Sequence, residues 1–172
     1  SSRRISRIVK QELPDAWVTW GGPHPTSCDR EVLGADSVDF CVRREGEATM
    51  LELVNALASG RRGDFSGITG LSWRTLDGRP VRNPERPLVK NLDAMPHPDK
   101  DNVVLPEYYE DSHFNNTFTA RGCPFKCNYC SLLIMGHDRR RRTLENMADE
   151  MEFMHETYGY KQISFIDPIF PF

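Results

Sequence analysis

The sequence predicts an α/β fold, because helix-like and strand-like segments alternate along it and the strand-like ones are short, apolar and of the buried kind. Three observations carry this. Ile5, Ile8, Val9 and Leu13 recur at helical spacing and stop at Pro14. The apolar run 39–42 is followed by helical spacing over 47–58. Apolar side chains then repeat every three or four positions over 144–158, ahead of a buried-type strand at 162–166.

Each element has a local reason. Pro14 lacks an amide donor and ends the first helix, and the aromatic and β-branched residues of 16–20 predict a strand that ends in Gly21-Gly22-Pro23-His24-Pro25. Within 47–58, Met50, Leu51, Val54 and Leu57 share a face, and Gly60 lies beyond the helix end. Segments 68–74 and 80–82 flank Thr75-Leu76-Asp77-Gly78-Arg79, where the Asp-Gly pair supplies the positive backbone angles of a tight hairpin. Prolines 84, 87, 96, 98 and 106 then predict an extended inter-domain connector over 83–109.

Residues 114–120 predict a strand that delivers Arg121-Gly122-Cys123 to a loop running to the basic stretch 139–142. Thr143 caps the next helix, and Leu144, Met147, Met151, Met154 and Tyr158 form its stripe. Glu145, Asp149 and Glu150 suit its N-terminal half, and Gly159 ends it. The last strand stops at Asp167. The expected organisation is therefore an α/β domain over 1–66, a hairpin and Pro-rich connector over 67–113, and a second α/β domain over 114–172. The chain opens and closes inside an α/β pattern, so a piece of a longer protein is expected.

Composition narrows the function. Basic and acidic residues number 22 and 25, for a formal charge of −3, so no global field favours nucleic acid, which is not expected as a partner. No apolar run reaches the roughly 20 residues that span a bilayer, and the N-terminus is not a signal core, so a cytoplasmic protein is expected. Three of the five cysteines fall between positions 123 and 130, which suits metal ligation in a reducing compartment better than disulfides. Cys28 and Cys41 receive no chemistry; Cys41 sits in an apolar run where a thiol packs as a small hydrophobe.

Cys123, Cys127 and Cys130 are the candidate metal ligands. Thiolates are soft donors that favour iron-sulfur clusters or zinc. Structural zinc takes four ligands, commonly in two separated pairs, whereas one loop here supplies three and only His137 is near enough to be a fourth. A cubic cluster on three cysteines leaves one iron open to a substrate or cofactor. An iron-sulfur enzyme, a non-enzymatic zinc or iron-sulfur module, and an inert fragment all remain open on the residues alone.

Arg121-Gly122-Cys123-Pro124-Phe125-Lys126-Cys127-Asn128-Tyr129-Cys130-Ser131 resembles the signature loop of the radical S-adenosylmethionine superfamily. The resemblance implies a [4Fe-4S] cluster whose open iron binds the methionine part of S-adenosylmethionine, and one-electron cleavage to a 5′-deoxyadenosyl radical. It places Tyr129 against the adenine, where an aromatic face offers stacking. The helix after the loop and Phe165-Ile166-Asp167 are similar to the first helix and second strand of the radical barrel, which puts Asp167 at the strand end where barrel enzymes hold their sites. In that subfamily a second acidic residue often follows, and here it is Pro168.

Gly21-Gly22-Pro23-His24-Pro25-Thr26 together with residues 38–47 is similar to the second half of a cobalamin-binding domain. Gly21 and Gly22 would let a ligand approach the backbone at the C-terminal edge of a doubly wound sheet. The implied whole is the second half of a Rossmann-like cobalamin-binding domain joined to the start of a radical (β/α) barrel, in a cobalamin-assisted methyltransferase or cyclase. Its implied partners are a low-potential electron donor such as flavodoxin or ferredoxin and a small-molecule substrate.

The plainer readings stand beside these. Gly21-Gly22 also suits an ordinary turn, and His24 reads as a loop histidine. The stretch 139–142 reads as a solvated, salt-bridged face or as a partner for substrate carboxylates. Core packing accounts for Met147, Met151 and Met154, and Asp167 suits a capping role as well as a site.

Overall fold

The computed structural model describes residues 2–99, 115–130 and 135–170. The chain divides into two units, Ser1–Leu88 and Val89–Phe172.

In the first unit, α1 (Ser2–Glu12), β1 (Thr19–Gly21), α2 (Pro23–Leu33), β2 (Phe40–Val42), α3 (Glu47–Ala58), β3 (Leu71–Arg74) and β4 (Pro80–Arg82) follow in order. They build one sheet in the order β1-β2-β3-β4, with β1 parallel to β2 and both later pairings antiparallel. The pleat of β2 explains the two cores. Phe40 and Val42 point to one face and join Leu53, Phe65, Leu71 and Trp73, while Cys41 points to the other and joins Val32, Leu33 and Val38. Phe65 packs edge-on against both Phe40 and Trp73, with ring centroids 5.0 and 5.6 Å away.

The structure differs from the sequence reading in three places here. The segment after β1 is not a loop: Gly22, at φ +94°, turns the chain directly into α2, with Pro23 pre-set for the first helical turn. His24 is therefore an exposed residue of that helix's first turn rather than a loop histidine. In α3 the bounds agree, but Thr49, Leu53 and Ala56 are the buried residues, whereas Met50, Leu51 and Val54 are 41%, 63% and 48% exposed. The hairpin, grouped by sequence with the connector, is hydrogen-bonded to β2 and belongs to the first unit's sheet. Asn83 ties its end down: Nδ2 donates to Phe65 and Ile68 carbonyls at 2.7 and 2.8 Å, and Oδ1 accepts from the Trp73 indole at 3.1 Å.

The second unit contains a 3-10 turn at Leu92–Ala94, then β5 (Asn116–Thr117), β6 (Ala120–Arg121), β7 (Arg140–Arg141), α4 (Leu144–Tyr158) and β8 (Ser164–Phe165). β5 and β8 are parallel, with α4 between them in sequence, and β6 and β7 are antiparallel. The strand expected over 114–120 is two short strands parted at Phe118 and Thr119; Phe114 lies outside the described residues, as do Pro106 and residues 100–113 of the expected connector. Thr143 caps α4 by accepting from the Asn146 amide at 3.2 Å, and Gly159, at φ +70°, ends it. Of the expected stripe, Met154 is buried but Leu144 is exposed, and Glu150 holds an inward position instead.

Candidate functional site: the three-cysteine loop

The loop from Gly122 to Arg139 is closed at its base by hydrogen bonding that the sequence did not reveal. β6 and β7 pair Ala120 with Arg141 and Arg121 with Arg140, and the Arg142 amide donates to the Thr119 carbonyl at 2.9 Å. Just inside that ladder, the Cys123 amide donates to the Gly136 carbonyl at 3.1 Å. Gly122 sits at φ +87°, and a Cβ there would lie 2.3 Å from the Asp138 carbonyl oxygen, so only glycine fits where the two arms of the loop touch.

Within the loop, the Cys130 amide donates to the Cys127 carbonyl at 3.1 Å, which turns the chain between the last two cysteines. Cys127 is exposed, and Cys123 and Cys130 are half-buried. Tyr129 is 93% exposed, leaving both ring faces accessible. His137 lies with Nδ1 3.3 Å from the Cys123 carbonyl oxygen. Ser131 of the signature is outside the described residues.

Among the described residues, no three His, Cys, Asp or Glu side chains are arranged to hold a single metal ion. A four-iron cluster makes a different demand, since each thiolate binds its own iron. The donor set is of the kind such a cluster takes: three free thiols on one loop, with no disulfide among them. The chemistry of these donors, and the close closure at Gly122, fit the three-cysteine side of such a cluster.

Of the basic stretch expected to form a solvated, salt-bridged face, Arg141 is exposed and Arg139 and Arg140 are half-buried. Arg142 is buried and forms an ion pair with Glu150, also donating to Thr117 Oγ1 at 3.2 Å and the Phe118 carbonyl at 3.1 Å. Glu150 accepts a further bond from Thr117 Oγ1 at 2.7 Å. Arg140 donates to the carbonyls of Val89 and Met135 at 2.6 and 3.0 Å, and Arg139 to that of Ile169 at 3.1 Å. The guanidiniums of Arg121 and Arg142 lie 4.8 and 5.3 Å from the Phe118 ring centre. A cavity of about 540 Å³ opens at the start of α4, lined by Thr119, Arg139, Arg141, Leu144, Met147 and Phe170 among others.

Asp167 directs its carboxylate back to the chain entering the loop. It accepts from the Thr119 amide at 3.0 Å, the Thr119 hydroxyl at 2.9 Å and the Ala120 amide at 2.6 Å. In the first unit, Gly21 and Gly22 stand at the C-terminal end of β1, and a Cβ on Gly22 would meet no atom within 4 Å. Two buried polar groups elsewhere in the first unit escaped the sequence reading. Asp29 is buried, accepting from Ser72 Oγ and from Arg82 at 2.7 Å, with Arg43 beside it. Burial also pushes the Arg43 guanidinium down and the Cys41 thiol up to about 12. Asp29 is invisible to pattern reading because its partners come from β3 and β4, more than 40 positions away.

Fold and loop together define an α/β protein that presents three thiols on one clamped loop. No family model matches the chain. It is 37% identical to an uncharacterized methyltransferase of Pyrococcus horikoshii over 169 residues, covering 96% of this chain and 36% of that protein. It is 34% identical to the anaerobic magnesium-protoporphyrin IX monomethyl ester cyclase of Rubrivivax gelatinosus over 159 residues, covering 89% and 28%. Among solved structures, TsrM from Kitasatospora setae, a radical S-adenosylmethionine methyltransferase, superposes with a TM-score of 0.73 at 25% identity, covering 97% of this chain and 32% of that one. That structure holds a tryptophan substrate and an S-adenosylmethionine analog; a second structure of TsrM, with cobalamin and a [4Fe-4S] cluster, shares the fold with a TM-score of 0.74 at 24% identity, covering 97% and 33%. The chain is therefore similar in sequence to a methyltransferase and a cyclase, and in fold to a radical S-adenosylmethionine methyltransferase. It spans about a third of the length of these curated relatives. Among the described residues, no helix is long and apolar enough to cross a membrane.

Proposed function

We propose that the chain is the cofactor-holding portion of a cobalamin-dependent radical S-adenosylmethionine enzyme, a methyltransferase or cyclase. The observation that carries this is the loop Cys123, Cys127 and Cys130, set in a chain 37% identical to a methyltransferase over 96% of its length. Cys123, Cys127 and Cys130 would hold three irons of a [4Fe-4S] cluster, which supplies an open iron and the electron for reductive cleavage of S-adenosylmethionine.

The remaining residues bind and orient. Gly122 and the β6–β7 ladder keep the loop's arms together, and the exposed Tyr129 ring offers a stacking face for adenine. In the first unit, the open backbone at Gly21 and Gly22 is where cobalamin would approach, in what reads as the second half of a Rossmann-like domain. The strands and helix of the second unit read as the opening of the radical barrel, with Asp167 at a strand end. Partners of such an enzyme are a low-potential electron donor of the flavodoxin or ferredoxin kind and a small-molecule substrate, in the cytoplasm and without nucleic acid.

Anaerobic reconstitution with iron and sulfide, followed by metal analysis, tests this. The proposal expects about four irons per chain, the stoichiometry of the cubic cluster, and their loss when Cys123, Cys127 and Cys130 are all replaced by alanine. Stoichiometric zinc that withstands reconstitution, with no iron, would overturn it.

A further inference from the structure

The parallel ladder between β5 and β8 ends where the chain needs it most. The Ile166 amide donates to the Thr117 carbonyl at 2.9 Å, after which the β5 side leaves β8 at Phe118 and Thr119 to begin β6 and the cysteine loop. At that junction the Thr119 and Ala120 amides have no backbone acceptor on β8. Asp167, the second residue beyond β8, supplies one with its side chain, and the same carboxylate takes the Thr119 hydroxyl. Thr119 is thereby held from two sides, because its carbonyl accepts from the Arg142 amide on the returning arm of the loop.

Two residues separate Ala120 from Cys123, and one of them, Gly122, packs so closely on the returning arm that a Cβ there would lie 2.3 Å from the Asp138 carbonyl oxygen. A shift at Thr119 or Ala120 therefore passes directly to the first cysteine. Bonds from amides and a hydroxyl to a carboxylate are charge-assisted and stronger than neutral ones. Three donors reach this carboxylate, all of them to Oδ1, with the Thr119 amide shared by Oδ2.

We infer that Asp167 is a positioning residue for the three-cysteine loop, acting through Thr119 and Ala120 to fix Cys123, and is not a direct contact of S-adenosylmethionine. The inference rests on the proposed cluster. Its distinctive consequence is that the Asp167 carboxylate matters before any S-adenosylmethionine is bound.

The test compares the unaltered chain with Asp167→Ala, Asp167→Asn, Thr119→Val and the Asp167→Ala/Thr119→Val pair, each reconstituted anaerobically and freed of S-adenosylmethionine. Two quantities are read: the g values of the reduced cluster, and the rate at which a ferrous chelator removes iron. Met154→Ala, which empties part of the buried α4 face, controls for lost stability. Without cluster in the unaltered chain, the proposed function fails and not this inference alone.

With a cluster present, Asp167→Ala is expected to shift the g values and speed iron loss about tenfold, the scale of a lost charged hydrogen bond, with Asp167→Asn intermediate because its Oδ1 still accepts. Thr119→Val is expected to shift the signal in the same direction by less, and the pair to resemble Asp167→Ala alone, because both changes remove one shared set of bonds. Met154→Ala is expected to leave both readings unchanged. The inference is overturned if the Asp167 and Thr119 variants match the unaltered chain without S-adenosylmethionine, and Asp167→Ala differs only once it is added. It is equally overturned if Met154→Ala reproduces the changes, since the effect would then be general loss of stability.

Discussion

Arg142, just ahead of the Thr143 cap, and Glu150, in α4, form an ion pair whose side chains are only 3% and 1% exposed. The pair also grips Thr117 and Phe118, so it joins α4 to the chain leading into the cysteine loop. Removing one partner leaves a buried charge without compensation. Glu150→Ala is expected to cost about 3–5 kcal/mol, read by denaturant unfolding of the chain. Replacing Arg142 and Glu150 together with apolar residues of similar volume is expected to cost less than either single change.

Gly122 and Gly60 both have positive φ, but only Gly122 faces an obstacle. Gly60→Ala is expected to cost about 1–2 kcal/mol, the left-handed penalty alone. Gly122→Ala should cost more, and should lower the iron retained after reconstitution while Gly60→Ala retains the full amount. Equal iron retention in both would show that the loop's closure does not matter to the cluster.

In α3 the buried and exposed faces predict opposite responses. Leu53 is fully buried, so Leu53→Ala is expected to destabilise the chain by about 2–5 kcal/mol. Leu51 is 63% exposed, and Leu51→Ser should change stability by no more than about 0.5 kcal/mol. Thermal unfolding of the two variants separates these faces.

This helix also shows what was legible in the sequence. The bounds of α3 and α4 could be read because their signals are local: helical spacing, Thr143 at one end and Gly159 at the other. The inward face could not, because in α3 the polar Thr49 is buried through a bond to the Thr69 carbonyl at 2.9 Å, a contact twenty positions away. Glu150 and Asp29 are acidic residues whose burial depends on distant partners, Thr117 and Arg142 for the first, Ser72 and Arg82 for the second. The α2 helix was missed because two prolines and a glycine pair signal a turn, whereas here the prolines fall in the first helical turn, where an absent amide donor costs nothing. The cysteine spacing was legible in full. The β6–β7 clamp was not, since two-residue strands leave no periodicity.

Cys41 gives a pH signature. Burial raises its pKa from 9.0 to about 12, so the folded chain keeps a proton that the unfolded chain releases above about pH 9. This thiol is therefore neutral in its effect below that pH and lowers folding stability progressively between about pH 9 and pH 12. The stability advantage of the unaltered chain over Cys41→Ala is expected to shrink by roughly 1 kcal/mol between about pH 8 and about pH 10 under reducing conditions. A constant difference would contradict the shift. In the metal-free chain, exposed Cys127 should alkylate readily at neutral pH and Cys41 only on unfolding.

The central claim is an iron-sulfur cluster on Cys123, Cys127 and Cys130 with one iron open to S-adenosylmethionine. Electron paramagnetic resonance of the anaerobically reconstituted, reduced chain, recorded with and without S-adenosylmethionine, addresses it most directly. The account predicts a [4Fe-4S]⁺ signal whose g values move when S-adenosylmethionine is added. A cluster signal indifferent to S-adenosylmethionine, or no cluster signal from a folded chain, would contradict it.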